Sequence, residues 1–552
     1  MKTIATIQVD LEVTSLGTAS RLGDDLHGKP VLRRTVERIS RATRIDGVHV
    51  LCPSAQFDRC ADILKGTRAQ LHRHDAGPSP WGQLVQTARK WSLDGWRGGI
   101  GGTTSFDEHT DCRLIEGLLQ TVECDTVLSI PAAAPLIDPA LVDQMIQHRS
   151  SLGEDVRLVF AQAPPGVAGV LLDASLVKEL QEKNSPVGWV FGYKPDSPEK
   201  DLIVQPCCYG VAAEVRYAVG RVVVDTDRSL AAVAAILDEH DDPDAACIGR
   251  WLARYQVSQD EPLPREVEIE LTTDDPFPEA LLRPRGERVE RRGPIDPDVV
   301  GQVAAELCRF DDALIVLGGL GDPLEHPQFS AVLRAIREAP SEGRRIYGLA
   351  VRTTAANLTD EHIEAMIANR VDVLQVTLDA WTAKTYSLVQ SPHDPSKADL
   401  ADVLKRLDRL AAVRQEHRSV QPITLPDMTK ARDNVHELDE FHDGWLRRGG
   451  AVSISACSHY AGQCEDRSAA PMAPAARIGC GRIRSRCMVL ADGRVVLCDQ
   501  DIHGHHAVER LGEHSLEQLW RSEPFQHVRA SHRAGEFDPT PLCAACEEWH
   551  RP

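Results

Sequence analysis

Short apolar runs alternate along most of this chain with longer stretches in which apolar residues recur every three or four positions. Runs of the first kind read as buried strands, and stretches of the second as amphipathic helices. Over residues 1–250 the pattern predicts strand Thr3–Val9, helix Pro30–Ala42 with Pro in its first turn, strands Gly47–Cys52 and Thr126–Ile130, helix Pro139–His148, strand Val156–Ala161, helix Ala174–Lys183, strand Arg221–Val224 and helix Leu230–His240. Such alternation predicts an open α/β sheet with helices on both faces. Residues 72–110, rich in Gly, His and Trp, read as loop or insertion.

Gln259–Pro264 (QDEPLP) reads as a linker, and the rhythm then restarts. Strands are expected at Val267–Leu271, Ala313–Leu317, Arg345–Val351, Val371–Leu378, Val420–Leu425 and Val452–Ser455. Helices are expected at Pro297–Phe310, Phe329–Glu338, Thr359–Asn369, Leu400–Arg414 and Asn434–Arg447. Repeated βα units of this size predict a partial (β/α)6 barrel. After an Ala/Pro-rich spacer at Ala469–Ala476 the chain is short and rich in Cys and His, with little room for an apolar core, so a staple is expected there. The expected domains are therefore 1–255, 263–460 and 470–552.

The 552 residues carry 62 Lys plus Arg against 82 Asp plus Glu, a formal net charge of -20. That balance argues against nucleic acid and anionic membrane as partners, since both require a basic surface. No apolar stretch reaches the roughly 18 residues that cross a bilayer. The opening MKTIATIQVDLEV reads as a strand instead of a signal peptide, and a cytoplasmic protein is expected.

Of fifteen cysteines, seven fall late: Cys457, Cys464, Cys480, Cys487, Cys498, Cys543 and Cys546. Met488–Leu497 (MVLADGRVVL) has two apolar arms around Asp-Gly, a hairpin signal. A hairpin brings its flanks together, so Cys480 and Cys498 meet at its open end, and Cys543-x-x-Cys546 adds two thiols from a tight turn. Four converging thiolates suit an iron–sulfur cluster or tetrahedral zinc. The pattern C-x12-G-x4-C, then LGEHSLEQLWRSEPFQHVR, then C-x-x-C resembles the SPASM or twitch domain that follows many radical SAM cores. The resemblance implies an auxiliary [4Fe-4S] cluster on Cys480, Cys498, Cys543 and Cys546. Cys487 reads as a packing residue, and His503, His505 and His506 as a solvated loop.

The middle region resembles the radical SAM barrel: VEIELTT (267–273) its first strand, LIVLGGLGDPLEHPQF (314–329) its second strand and Gly-rich loop, VDVLQVTLDA (371–380) its fourth. The resemblance implies that Gly318, Gly319, Gly321, Asp322 and Pro323 hold the amino group of S-adenosylmethionine, with Asp322 where the family usually has Glu. It also implies a C-x3-C-x2-C triad just after the first strand. Here that stretch is TTDDPFPEALLRPRG, without a cysteine. Asp274, Asp275 and Glu279 are hard oxygen donors, unsuited to iron–sulfur ligation.

The first region resembles cytidylyltransferase-like enzymes of surface-polysaccharide synthesis, of the glycosyltransferase-A type fold, at TIATIQ, HGKPVLRRTVERI, APLIDPALVDQMI and RVVVDTDRSLAAV. The family's basic, Gly-rich nucleotide loop carries Asp10, Glu12, Ser15 and Ala19 here, and Ala133 stands in place of its metal-binding Asp. Acids there repel a triphosphate. Asp225 remains, and reads equally well as a helix cap.

The order of the three regions resembles the spiro-SPASM group. The expected function is a catalytically degenerate iron–sulfur protein acting in partner binding or electron transfer. Its partners would be a protein, a peptide or a sugar nucleotide. The alternatives are an atypical S-adenosylmethionine-dependent enzyme acting on a peptide or surface sugar, and a zinc-stapled scaffold.

Overall fold

A computed structural model describes residues 1–258, 261–340 and 343–551. Gln259 and Asp260 of the expected linker lie outside the described residues. Contacts divide the chain into two compact units, Met1–Tyr255 and Gln256–Pro552.

The first unit is a seven-stranded sheet. Its strands are β1 (Thr3–Gln8), β2 (Gly47–Pro53), β3 (Gln70–His74), β4 (Thr126–Pro131), β5 (Leu158–Ala161), β6 (Val170–Asp173) and β7 (Cys208–Tyr209). Their order is β3-β2-β1-β4-β6-β5-β7, with β6 antiparallel to both its neighbours. Side chains alternate across the sheet: Ala5, Ile7, Leu128 and Ile130 join one buried cluster, and Ile4 and Val127 the other. Burial on both faces is why these strands read as continuous apolar runs.

Two expectations are corrected here. Residues 72–110 are not simply loop: they take in the end of β3 and the helix Gly82–Arg89. Arg221–Val224 is not a strand. Val222 N–H donates to Pro165 O at 3.0 Å and Val224 N–H to Ala133 O at 2.8 Å, so its amides serve loops and not a ladder.

The second unit is an eight-stranded sheet. Six parallel strands, β8 (Glu266–Glu270), β9 (Leu314–Gly318), β10 (Gly348–Thr353), β11 (Val373–Thr377), β12 (Ile423–Lys430) and β13 (Ser453–Ala456), lie side by side in chain order. This is a partial (β/α)6 barrel. The hairpin β14 (Arg486–Val489) and β15 (Val495–Val496) is added to the free edge of β8, Cys487 standing opposite Val267. Its Asp492-Gly493 turn needs Gly493 at φ 85°. Because this hairpin shares the barrel's hydrogen bonds and core, residues 470–551 pack within the second unit. Among the described residues no helix is long and apolar enough to cross a membrane.

Candidate functional site

The hairpin places the first two late thiols. Cys480 precedes the short helix Arg482–Ser485 that leads into β14, and Cys498 is the second residue after β15. Cys543 lies in the helix Pro541–Ala545, and Cys546 caps it. Burial raises the thiol pKa of Cys498, Cys543 and Cys546, Cys543 to about 12, and the charge of Cys480 raises each of the three further. The four sulfurs therefore share one neighbourhood, with Cys480 common to all.

Donors and cations surround them. Glu548 N–H donates to Cys546 Sγ at 3.2 Å. The Gln500 backbone and Arg482 both oppose the rise at Cys498, and Arg477 does so at Cys543 and Cys546. Such buried thiols ionise when a metal supplies the opposing charge. Among the described residues no three His, Cys, Asp or Glu side chains close to the spacing of a single-ion site. The donor set fits a cluster: all sulfur, with N–H groups and guanidinium ions to offset its anionic charge.

The remaining late cysteines stand elsewhere. Cys487 is buried in the barrel core, its thiol pushed to about 12 by burial. Cys457 and Cys464 line a separate cavity. In the His503–His506 loop, His505 and His506 N–H groups donate to Asp501, and His503 stacks on His505 at 5.3 Å.

At the barrel mouth the Gly-rich loop is engaged by the protein itself. Gly318 closes β9, and Pro323 opens a single 3-10 turn capped by Asp322. The buried Asp322 carboxylate accepts from Thr353 Oγ1 at 2.8 and 2.9 Å, Thr354 N–H at 2.8 Å, Thr354 Oγ1 at 2.7 Å and Leu324 N–H at 3.0 Å. Its acceptor sites are thus used within the fold. A Cβ on Gly321 would stand 2.1 Å from Thr272 O, and one on Gly319, at φ 87°, 2.6 Å from Glu270 Cβ. These glycines therefore admit the chain leaving β8.

The stretch without thiols is folded around charge. Glu270 and Arg292, both fully buried, pair at 2.8 and 3.1 Å, and Glu270 also accepts from Leu320 N–H and Ala491 N–H. Asp275 pairs with Arg285 Nε at 2.8 Å and accepts from Phe277 N–H at 2.7 Å. Arg285 also donates to Gly319 O at 3.3 Å, which ties this loop to the Gly-rich one. Deeper in the barrel lie Asp379 and Asp427; burial lifts the pKa of both, Asp427 to about 6. Sequence reasoning named Asp275 as a hard oxygen donor but passed over Glu270, Asp379, Asp427 and the arginines. The run of arginines at 283, 285, 288, 291 and 292 was the available signal.

The first unit shows a comparable closure. Asp10 Oδ1 accepts from Glu12 N–H at 2.8 Å, Val13 N–H at 3.2 Å and Gln56 Nε2 at 3.0 Å, so a carboxylate occupies the loop amides. Asp225 is bound by Arg221, which also pairs with Glu108 at 2.7 Å. Both line a cavity of about 630 Å³ with Asp10 and Ala133.

Comparisons with known proteins bear on parts of the chain. Residues 480–547 match the family model of SPASM, described as an iron–sulfur cluster-binding domain. An uncharacterized protein of Treponema pallidum (strain Nichols) is 27% identical over 306 residues, covering 52% of this chain and 79% of the relative. Among solved structures, BtrN in complex with AdoMet and 2-DOIA is similar at 15% identity and TM-score 0.36, over 53% of this chain and 98% of its own. SuiB of Streptococcus suis bound to the precursor peptide SuiA is similar at 12% and 0.38, over 55% and 75%. A cytidylyltransferase from Leptospira borgpetersenii serovar Hardjo-bovis (strain JB197) is similar at 14% and 0.32, over 46% and 94%. The α/β fold stands on strand order alone. The thiol-bearing segment, residues 480–547, belongs to the SPASM family of iron–sulfur cluster-binding domains.

Proposed function

We propose that the chain is an iron–sulfur protein holding one auxiliary [4Fe-4S] cluster on Cys480, Cys498, Cys543 and Cys546, and that it acts in the cytoplasm in electron transfer or partner binding without radical catalysis. It is organised as a degenerate cytidylyltransferase-like region (1–255), a radical-SAM-like barrel (263–460) and the cluster domain (470–552). The observation that carries this reading is the contrast in donors. The four tail thiols share one neighbourhood, while the loop after β8 offers ion-paired carboxylates and arginines. Residues 272–286 contain no thiol, and hard carboxylates ligate iron–sulfur units poorly.

A cluster held by the four thiolates supplies a one-electron couple. The chain's own groups set its surroundings. The Glu548 N–H on Cys546 and the Arg482 and Arg477 charges favour the more negative state. Peptide and sugar nucleotide are the partner classes proposed for the upstream regions. Protein purified without oxygen is expected to contain about four irons and four sulfides per chain. It is expected not to release 5′-deoxyadenosine from S-adenosylmethionine under reduction. One zinc and no sulfide would replace this reading with a stapled scaffold, and reductive cleavage would restore radical chemistry.

A further inference from the structure

Three guanidinium groups line the cavity of about 630 Å³ in the first unit, and all are engaged. Arg113 pairs with Asp111 at 2.6 Å, and Arg221 with Glu108 at 2.7 Å and Asp225 at 3.0 Å. Arg21 pairs with Asp24 at 3.4 Å and with Asp227. Burial lowers the pKa of His74 and His109 on the same wall, His109 to about 4, so neither adds a cation near pH 7.

Carboxylates are in excess, because Asp10 and Asp107 line the cavity as well. Among the described residues neither has a cation at ion-pair distance. Three donors satisfy each instead. Asp10 Oδ1 accepts from Glu12 N–H at 2.8 Å, Val13 N–H at 3.2 Å and Gln56 Nε2 at 3.0 Å. Asp107 accepts from Gly188 N–H at 2.7 Å, Thr104 N–H at 2.7 Å and Thr104 Oγ1 at 3.0 Å. An entering phosphate or carboxylate meets no unpaired cation and adds to a like charge.

The groups left open are neutral. Gln86 and Gln181 line the cavity half-buried, and among the described residues neither side-chain amide has a hydrogen-bond partner. A Cβ on Gly17, at φ 81°, would stand 1.7 Å from Gln86 Nε2, so this glycine gives that amide its room. Trp81 adds an aromatic face. An amide side chain both donates and accepts, and so does a hydroxyl. The volume lies in the range of small-molecule sites, roughly 300–1,000 Å³.

We propose that this cavity binds an uncharged, hydroxyl-rich ligand, a sugar without phosphate or carboxylate, through Gln86 and Gln181. The proposal rests on the partner classes given for the upstream regions and narrows sugar nucleotide to its uncharged sugar. Such a ligand brings no charge that the paired arginines would have to compensate.

Titration calorimetry on the full chain tests this with glucose, N-acetylglucosamine, the 1-phosphate of each, and UDP-glucose. At least one of the two sugars is expected to bind at one site per chain, and its phosphate roughly tenfold or more weaker. Gln86→Ala and Gln181→Ala remove amides that have no partner in the fold, so the fold persists, and each is expected to weaken sugar binding roughly threefold to tenfold. Asp10→Asn keeps an acceptor for the loop amides but drops a charge, and is expected to narrow the gap between the sugar and its phosphate. Binding of UDP-glucose with none of either sugar overturns the proposal and leaves the sugar-nucleotide class standing, whereas binding by none of the probes removes both. A phosphate that binds more tightly than its sugar also overturns the proposal. So does equal sugar affinity in the unmodified, Gln86→Ala and Gln181→Ala proteins.

Discussion

The loop that follows β8 and the turn that follows β15 belong to one sheet, yet they offer a metal opposite things. The first presents Asp275, Arg285, Glu270 and Arg292, each already paired within the protein. The second presents Cys498, Cys543 and Cys546 beside Cys480, and burial raises the thiol pKa of the first three, which ionise when a metal displaces the proton. A strand end gives a ligand position, but the donor atoms on the loop decide what it holds. In this chain six parallel strands lie side by side, and the loop after the first of them is filled by charge pairs.

The sharpest way to break that contrast is to remove a tail thiol. Cys543→Ser replaces a soft donor with a hydroxyl and is expected to strip most of the iron and sulfide. It is also expected to lower the stability of residues 470–551. Iron and sulfide analysis checks the first outcome, and protease susceptibility of the C-terminal segment the second. Unchanged iron in a folded Cys543→Ser protein would remove Cys543 from the ligand set.

The converse change belongs at the barrel mouth. Glu270 and Arg292 are 0% and 1% exposed as side chains, so Glu270→Gln leaves a buried guanidinium without its counter-charge. Breaking a buried pair from one side costs about 3–5 kcal/mol. The urea midpoint is expected to fall accordingly, with iron per folded chain unchanged. A loss of iron equal to that of Cys543→Ser would mean that the mouth and the tail form one metal site.

How much of this was legible in the sequence depends on what each feature needs. The strands of the barrel were readable where burial on both faces makes a run apolar whatever its partner, as with Leu314–Gly318. The hairpin was readable because Asp492-Gly493 specifies its own turn. Arg221–Val224 misled, since its apolar run is buried against loops, and sequence does not show which carbonyl an amide will meet. Val170–Asp173 and Gln70–His74 were missed: the one is a short four-residue strand, and the other is polar. The arginines at 283 and 285 drew no reading from the sequence. Only the fold, by laying that loop across the barrel mouth, makes them interior groups.

The same interior yields the finest test, through Asp427. Its carboxyl lies buried on β12, accepting from Ser455 Oγ at 2.7 Å, and burial lifts its pKa from 3.8 to about 6, with the charge of Asp379 adding to the rise. A carboxyl whose folded pKa lies above its unfolded value favours folding while protonated. Its contribution is complete below about pH 4 and is lost as pH rises through about 6, a total of about 3 kcal/mol for a shift of this size. Asp427→Asn cannot ionise, so its urea midpoint relative to the unmodified protein is expected to climb between pH 4 and 7. A midpoint difference flat across that range would mean that Asp427 is ionised in the folded barrel.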